Sequence, residues 1–446
     1  MARAKKETAL TPEERLQAAL VPDWEWPHKL PENWCWTYLT KAAECLDNFR
    51  KPINATERAG RNGNVPYYGA TGQVGWIDDF LTDEDLVLLG EDGAPFLDLI
   101  KDKAYLITGK AWVNNHAHIL RSLFGDTGNR YLLHYLNSFN YAGYVNGTTR
   151  LKLTRASMDT IPIPLPPLAE QQRIVDRIES LFAKLDEAKE KAQAVVDSFE
   201  TRKAAILHKA FTGELTAKWR EEHGVRMESW EKKSVGELCI SLKYGTAKKS
   251  DASGNVVVLR MGNLQQGEID WSDLAYSNDP DDIEKYKLFP GDVLFNRTNS
   301  AALVGKTAIY RGEHPAIYAG YLIKLDYDRD KIIGDYLNYA LNTLDAKKYC
   351  NSVKTDGVNQ SNINAKKIGA YSFNVPSIPE QEKIVSVIQK LLSKEQQAKE
   401  AAEAVLDQID LMKKSILARA FRGELGTNDP SEESAVELLK EIIRRG

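Results

Sequence analysis

Little in this sequence invites covalent chemistry. Its four cysteines (Cys35, Cys45, Cys239 and Cys350) are scattered, with no C-x-x-C pair. That excludes a disulfide framework or a clustered-thiolate zinc site and fits a reducing, cytoplasmic setting. No apolar run approaches the roughly 20 residues that span a bilayer, so no membrane association is expected. The opening MARAKKETALTPEERLQ has basic residues with no apolar stretch behind them, unlike a secretory leader. A basic excess is missing too, since the net charge is −4. Proteins that hold nucleic acid unaided usually carry one, because phosphate neutralisation supplies most of the affinity. If this chain binds DNA, its basic groups are gathered on one face or a partner supplies much of the phosphate contact.

Catalytic signatures are also missing. There is no G-x-S-x-G, no H-E-x-x-H and no dinucleotide-binding fingerprint. The GKT at Gly305–Thr307 would need a glycine five residues before Gly305 to form a phosphate loop, and that position is Ser300. NNHAH (Asn114–His118) puts His116 and His118 on one face of a strand. Without neighbouring Cys or acidic residues in sequence, two histidines are more often structural or ligand-contacting than metal ligands. We therefore expect no catalytic residue and no metal.

What the chain does have is length and repetition. Its 446 residues are too many for one core, so two to four domains are expected. Hydrophobic content of 43% and charged content of 27% are ordinary for a globular protein. A polar, partly helical extension (1–23) leads into a stretch of short β-type runs broken by Gly, Asn and Asp (24–166). The proline-rich IPIPLPP then hands over to a long helical stretch free of Gly and Pro until Gly213 (167–222). Mixed texture returns (223–376), followed by a second long helix (377–425) and a tail with a short amphipathic helix (426–446). KAAILHKAFTGEL (203–215) and KKSILARAFRGEL (413–425) are nearly the same helix end written twice, and the same offset pairs Glu170 with Glu380, Gly147 with Gly357 and Pro166 with Pro376. The front halves match far less, apart from Trp34 and Trp230.

Both helices carry a narrow heptad seam. In the first it runs through Ile174, Ile178, Leu181, Leu185, Ala188, Ala192, Val195, Phe199, Arg202 and Ile206. In the second it runs through Ile384, Ile388, Leu391, Glu395, Ala398, Ala402, Val405, Ile409, Met412 and Ile416. Each helix should be roughly 60–70 Å long at about 1.5 Å per residue. Two such helices most simply pack on each other and space the mixed domains apart, giving a pseudo-two-fold molecule suited to two sites on one extended ligand. Two separate surface helices are the plainer alternative, though a surface helix usually buries a wider stripe.

Several loop-like stretches are dense in groups that read base edges, where arginine suits guanine and Asn or Gln suits adenine. In the first half these are YYGATGQ (67–73), GEDGA (90–94), NNHAH and NGTTR (146–150). In the second half they are RMGNLQQG (260–267), FNRTNS (295–300) and KTDGVNQSNIN (354–364). The same residue types also build turns, which is the simpler account of most of them.

The motifs PLAEQQRIVDRIESLFAKLD and KAAILHKAFTGELTAKW, echoed by IPEQEKIVSVIQKLL and SILARAFRGEL, resemble the specificity subunit of type I restriction–modification systems. GDVLFNRTNSAALVGKTAIY and VPYYGATGQVGWIDDF…GEDG…NNHAHIL look like its two target-recognition domains. The resemblance covers about Pro31 to Leu425. It implies an α+β fold: two mixed α/β target-recognition domains separated by two long helices packed as an antiparallel coiled coil, with an internal pseudo-two-fold repeat. It further implies a non-catalytic subunit that binds double-stranded DNA, each domain reading one half of a split asymmetric target, in defence against foreign DNA. The expected partners are two modification (methyltransferase) subunits that bind S-adenosylmethionine and methylate adenine, and restriction subunits that use ATP and Mg. No cofactor is expected in this chain. Base-contact candidates are then Tyr67, Tyr68, Thr71, Asn114, Asn115, His116 and Arg150, with Arg260, Asn263, Gln265, Arg297, Asn299, Lys354 and Gln360 in the second half. Partner docking is expected along the helices, where Lys184, Glu187, Glu190, Lys394 and Glu400 flank the seam. Two alternatives remain: a specificity subunit of a related single-site nuclease–methyltransferase system, and a coiled-coil adaptor that binds protein alone.

Overall fold

The computed structural model describes residues 11–358 and 360–445; the first ten residues of the expected N-terminal extension lie outside them. Five helices organise the chain: α1 (Pro12–Ala19), α2 (Leu168–Asp197), α3 (Phe199–Phe211), α4 (Ile378–Ala420) and α5 (Ala435–Arg445). The chain divides into two compact units, Met1–Gln193 with Glu403–Gly446, and Ala194–Ala402. No described helix is long and apolar enough to cross a membrane.

In the first unit a four-stranded antiparallel sheet is ordered Ala43–Cys45, Ala117–Ser122, Leu86–Gly90, Ala104–Ile107. The central LVLLG strand is buried at every position, as an apolar run covered on both faces must be. A second sheet contains Val65–Gly69 beside Lys110–Val113 in parallel. The second unit repeats this plan in a dissimilar sequence. Its antiparallel sheet is ordered Cys239–Tyr244, Leu322–Tyr327, Val293–Asn296, Thr307–Ile309, and Val256–Leu259 lies parallel to Ala316–Tyr318. The α+β class and the internal repeat expected from the sequence are therefore both present.

Each unit also contains its own antiparallel helix pair. In the first, the α4 lysine Lys413 meets Asp186 of α2 at 2.5 Å, and Asp410 lies 3.8 Å from Lys189. Ile174, Val175 and Ile178 share a core with Leu417, Ala420 and Phe421. In the second, Ile384, Val385 and Ile388 share a core with Leu207 and Ala210. The sheets of each unit are thus closed by the start of the helix that follows them and the end of the other helix. That explains the repeated ends KAAILHKAF and KKSILARAF, whose Leu, Ala and Phe are core residues. Gly213 and Gly423 end these helices in the left-handed region (φ +82° and +73°). A Cβ at Gly423 would lie 2.4 Å from Pro31, and one at Gly213 would lie 2.7 Å from Met227.

The polar breaks in the two seams are partners. Arg202 Nε donates to Glu395 Oε2 at 2.5 Å, so antiparallel packing brings together two positions that are not equivalent in the repeat. Three expectations need correction. The first long helix is interrupted at Ser198, whose hydroxyl turns back to the Ala194 carbonyl while Arg202 donates to that hydroxyl and to Val195 O. Val405 and Met412, expected in the seam, are 42% and 45% exposed. A straight helix of 3.6 residues per turn drifts by about 20° per heptad from a 3.5-residue repeat, so along α4 the covered stripe passes from Val405 to Leu406 and from Met412 to Lys413. Of the remaining seam residues, Ile174, Ile178, Phe199, Ile384, Ile388 and Ile409 are buried, and Leu181, Val195, Ile206, Leu391 and Ile416 are half-buried.

Just beyond each helix end, the other helix's first turn is clasped through a buried carboxylate. Glu380, fully buried, accepts from Thr216 Oγ1 (2.8 Å), Arg220 Nη1 (2.7 Å) and Trp230 Nε1 (2.9 Å). Its repeat equivalent Glu170, also fully buried, accepts from Thr427 Oγ1 (2.6 Å) and Arg173 Nε (3.0 Å). Arg173 in turn holds Glu432 with two bonds of 2.8 Å. Burial raises the Glu170 carboxyl above its ordinary value despite these donors. The adjacent Gln171 and Gln381 donate to Pro166 O and Pro376 O, which fixes the starts of α2 and α4 alike. In the first unit, α1 packs on α5 around Ala19, Cys35, Leu165, Ala435 and Leu439.

Candidate nucleic-acid interface

In each unit three loops meet beyond the buried central strand, joined by the same backbone bonds. In the first, Glu91 N–H donates to His116 O (2.8 Å), and Leu153 N–H donates to Glu91 O (2.7 Å). In the second, Arg297 N–H donates to Tyr321 O (3.0 Å), and Ile363 N–H donates to Arg297 O (2.8 Å). The third loop in each case is a tight return, Val145–Asn146 to Lys152–Leu153 and Thr355–Asp356 to Ser361–Asn362. These are the stretches GEDGA, NNHAH and NGTTR in one half, and FNRTNS and KTDGVNQSNIN in the other.

The first face gathers three side chains. Asp92 Oδ1 accepts from Arg150 Nη2 (2.6 Å) and contacts His116 Nδ1 (2.7 Å); Arg150 is 60% and His116 38% exposed. A buried polar network supports it from behind. His118 is 1% exposed, with Nδ1 at 2.6 Å from Asp47 and Nε2 at 3.0 Å from Leu153 O. Arg50 reaches Asp47 (3.0 Å), Glu91 and the Ala117 carbonyl (3.2 Å), and Lys152 lies 3.0 Å from Glu91. Burial works against the Asp47 carboxylate, but the hydrogen bond from His118 and the Arg50 charge hold it below its ordinary value; Arg50 and Lys152 do the same for Glu91. Cys45, Asp47 and His118 come within 4.8 Å of one another. The acidic neighbour that the sequence around NNHAH lacks is therefore supplied from a distant segment. Both His118 nitrogens already face acceptors, and burial pushes the Cys45 thiol up to about 12, so the cluster is built as a structural hydrogen-bond junction.

The second face differs in charge. Arg297, which replaces Glu91, lays its guanidinium 4.8 Å from the Tyr244 ring centre and donates to Gly320 O (3.2 Å). Tyr321, at the position of His116, is 48% exposed, and Tyr244 is 41% exposed. Lys354 Nζ reaches Ala301 O (3.0 Å), Asn299 accepts from Ser300 N–H (2.8 Å), and Gln360 is exposed.

Other candidates fall elsewhere. Tyr67 is 1% exposed, its hydroxyl at 3.3 Å from Ile53 N and the Arg58 guanidinium over its ring; it belongs to the core. Asn263 is 3% exposed and ties Arg260 N–H, Asp270 O and Asp273 O into one loop, which is a turn-building role. Asn114 is likewise buried, capping His116 N–H at 2.8 Å. Tyr68 is half-buried beside Tyr105, while Asn115 and Thr71 are exposed. Arg260 is paired with Asp273 (2.9 Å), and Gln265 with Lys306 (2.8 Å). Sequence reasoning misses Tyr244 and Tyr321, and reaches Asp92 only as part of the GEDGA stretch. A signal exists for Tyr321, since it and His116 precede matching strands, but the register is visible only in the paired backbones.

A twofold-repeated fold, with one such loop face per repeat, defines a protein of two related domains. Residues 45–196 and 227–404 both match the family described as type I restriction modification DNA specificity domain, and the chain belongs to that family. It is 28% identical over 328 residues to the type I restriction enzyme StySPI specificity subunit of Salmonella potsdam, covering 70% of each chain. It is 28% identical over 333 residues to the EcoKI specificity subunit of Escherichia coli K12, again covering 70% of each. In fold it is similar to the HsdS subunit of Thermoanaerobacter tengcongensis (TM-score 0.60, 19% identity, 90% of this chain and 100% of that one). A chain solved to explain complex assembly and conformational transition of the type I R-M system aligns with TM-score 0.62 and 18% identity, over 90% of this chain and 100% of that one. DNA target recognition is the general function of the family.

Proposed function

We propose that the chain reads a split, asymmetric DNA target, each recognition domain contacting one half through its three-loop face, with the long helices setting the unread gap. In the first face Arg150, His116 and Asn115, together with Asp92, address base edges or phosphates. In the second, Arg297, Asn299, Lys354 and Gln360 do so beside the stacking surfaces of Tyr244 and Tyr321. The observation that carries this reading is the recurrence of one loop arrangement, with the same backbone bonds, in two domains whose side chains there differ in charge and shape. A shared frame with divergent side chains is what two readers of different half-sites require.

Two modification subunits would clasp the duplex, bring S-adenosylmethionine and methylate adenine; restriction subunits would bring ATP and Mg. Such partners would answer the net charge of −4 by adding phosphate contacts to those this chain makes itself. The test is a domain swap. Replacing residues 24–166 by those of a relative, with methylation read by single-molecule sequencing, should change one half of the methylated motif and leave the other intact. A change in both halves would refute the division of labour.

A further inference from the structure

The second unit contains an open cleft of about 930 Å³ between α3, the 302–306 loop and the Leu344–Val353 helix. We propose that this cleft docks an acidic polypeptide segment carrying a leucine-type side chain, an interaction that stands independently of target reading.

Charge points first to an anion. Lys203, Lys306 and Lys347 line the cleft against a single lining carboxylate, Glu200. Lys203 meets the Gln266 carbonyl (3.3 Å) and Lys306 the Gln265 amide oxygen (2.8 Å). Both hydrogen bonds are to neutral acceptors; burial lowers the Lys203 amine's pKa, while Glu200 and Glu268 act on its charge in the opposite sense without an ion pair among the described residues. The apolar part points to a peptide. Leu303 and Leu344 stand 42% and 53% exposed in the cleft lining. A phosphate backbone gains nothing from exposed leucines, whereas a peptide anchor buries them.

The first unit supplies an internal template. Lys103 corresponds to Lys306, since Gly90 N–H donates to Lys103 O (2.9 Å) as Asn296 N–H donates to Lys306 O (2.8 Å). Lys413 corresponds to Lys203 in the repeated helix ends. There the acids come from the chain's own LDLIKD segment (97–102), whose Leu97, Leu99 and Ile100 are 54%, 44% and 53% exposed, so the template bears on the charges alone. Lys103 is 2% exposed, its amine makes no hydrogen bond, and Asp98 and Asp102 act on its charge, with Asp102 also facing the charge of Lys413. The connection in the second unit, RTNSAALVG (297–305), is shorter and contains no acidic residue. The lysines there are left for an acid from outside.

The experiment is a titration of the full chain with fluorescein-labelled PFLDLIKD, the sequence of residues 95–102, followed by anisotropy. Saturable binding is expected, weakened at least tenfold by Lys347→Glu, by Leu344→Asp, and in the neutral peptide PFLNLIKN. Both substitutions are at exposed positions, and unchanged circular dichroism would show that the variants fold. Absence of binding at millimolar peptide, equal binding by both variants, or equal binding of the neutral peptide would overturn the proposal. Displacement of the peptide by a 20-base-pair duplex would overturn it too, by making the cleft part of a phosphate path.

Discussion

Substituting Glu380 by Gln keeps the side chain's shape but removes a charge that three donors share. Arg220 is 8% exposed, and among the described residues its guanidinium bonds Glu380, Thr216 Oγ1 (2.9 Å) and Gly213 O (2.7 Å). Without the carboxylate a buried cation is left with neutral partners, which costs about 3–5 kcal/mol. The amide also turns an N–H toward either Trp230 Nε1 or the Thr216–Arg220 pair, where an acceptor is needed. Glu170→Gln should cost less, about 1–2 kcal/mol, because Arg173 keeps Glu432 and is 37% exposed. Urea unfolding of the full chain, read by tryptophan fluorescence, reports directly, since the Trp230 indole donates to Glu380 at 2.9 Å. The Glu380→Gln transition should move to clearly lower urea than that of Glu170→Gln. Equal shifts, or a larger one for Glu170→Gln, would refute the claim that the second clasp depends on a single uncompensated pair.

Burial raises the folded carboxyl of Glu170, so its contribution falls as pH rises from the ordinary glutamate value to the raised one. Glu170→Gln should therefore flatten that part of the stability–pH curve, and an unchanged curve would contradict the assignment. Asp47 is shifted the other way: its stabilisation is present above about pH 3.9 and is lost as pH falls through the lowered value, so Asp47→Asn should remove part of the acid transition measured by circular dichroism. Arg202→Met alone strands Glu395 and should cost about 1–3 kcal/mol. Adding Glu395→Leu writes in the residues found at the equivalent positions, Met412 and Leu185, and should restore most of the loss in urea midpoint. Arg150→Ala should relax discrimination at one half of the methylated motif by about 1–3 kcal/mol, a result that equal loss in both halves would contradict.

The parts legible in the sequence were those written twice. Gly213 and Gly423, the Glu–Gln pairs at the helix starts and the seam residues recur at one offset, and a recurring helix end has a single physical reading. Arg202 and Glu395 were visible as interruptions, but their pairing depends on antiparallel register, which neither helix encodes alone. The matching sheets escaped because strands tolerate any residues of suitable burial: LVLLG and VLFN occupy the same place, and the Val-Leu pair they share is too short and too common in strands to announce it. Tyr67 and Asn263 were misplaced for a related reason. Tyrosine and asparagine serve cores and turns as readily as base edges, and only burial (1% and 3% exposed) separates the roles. The junction of Asp47, His118 and Leu153 joins three segments far apart in the chain, so no local spacing announces it.

The exchange of helix ends also orders events in time. The second unit is one continuous stretch, Ala194–Ala402, whereas the first needs Glu403–Gly446 to supply Leu417, Ala420 and Phe421 to its core. During synthesis the domain made first must therefore wait, its apolar cleft open, while the one made second can close as soon as it emerges. The N-terminal half is the last to be finished, and protease resistance of nascent chains should appear in that inverted order.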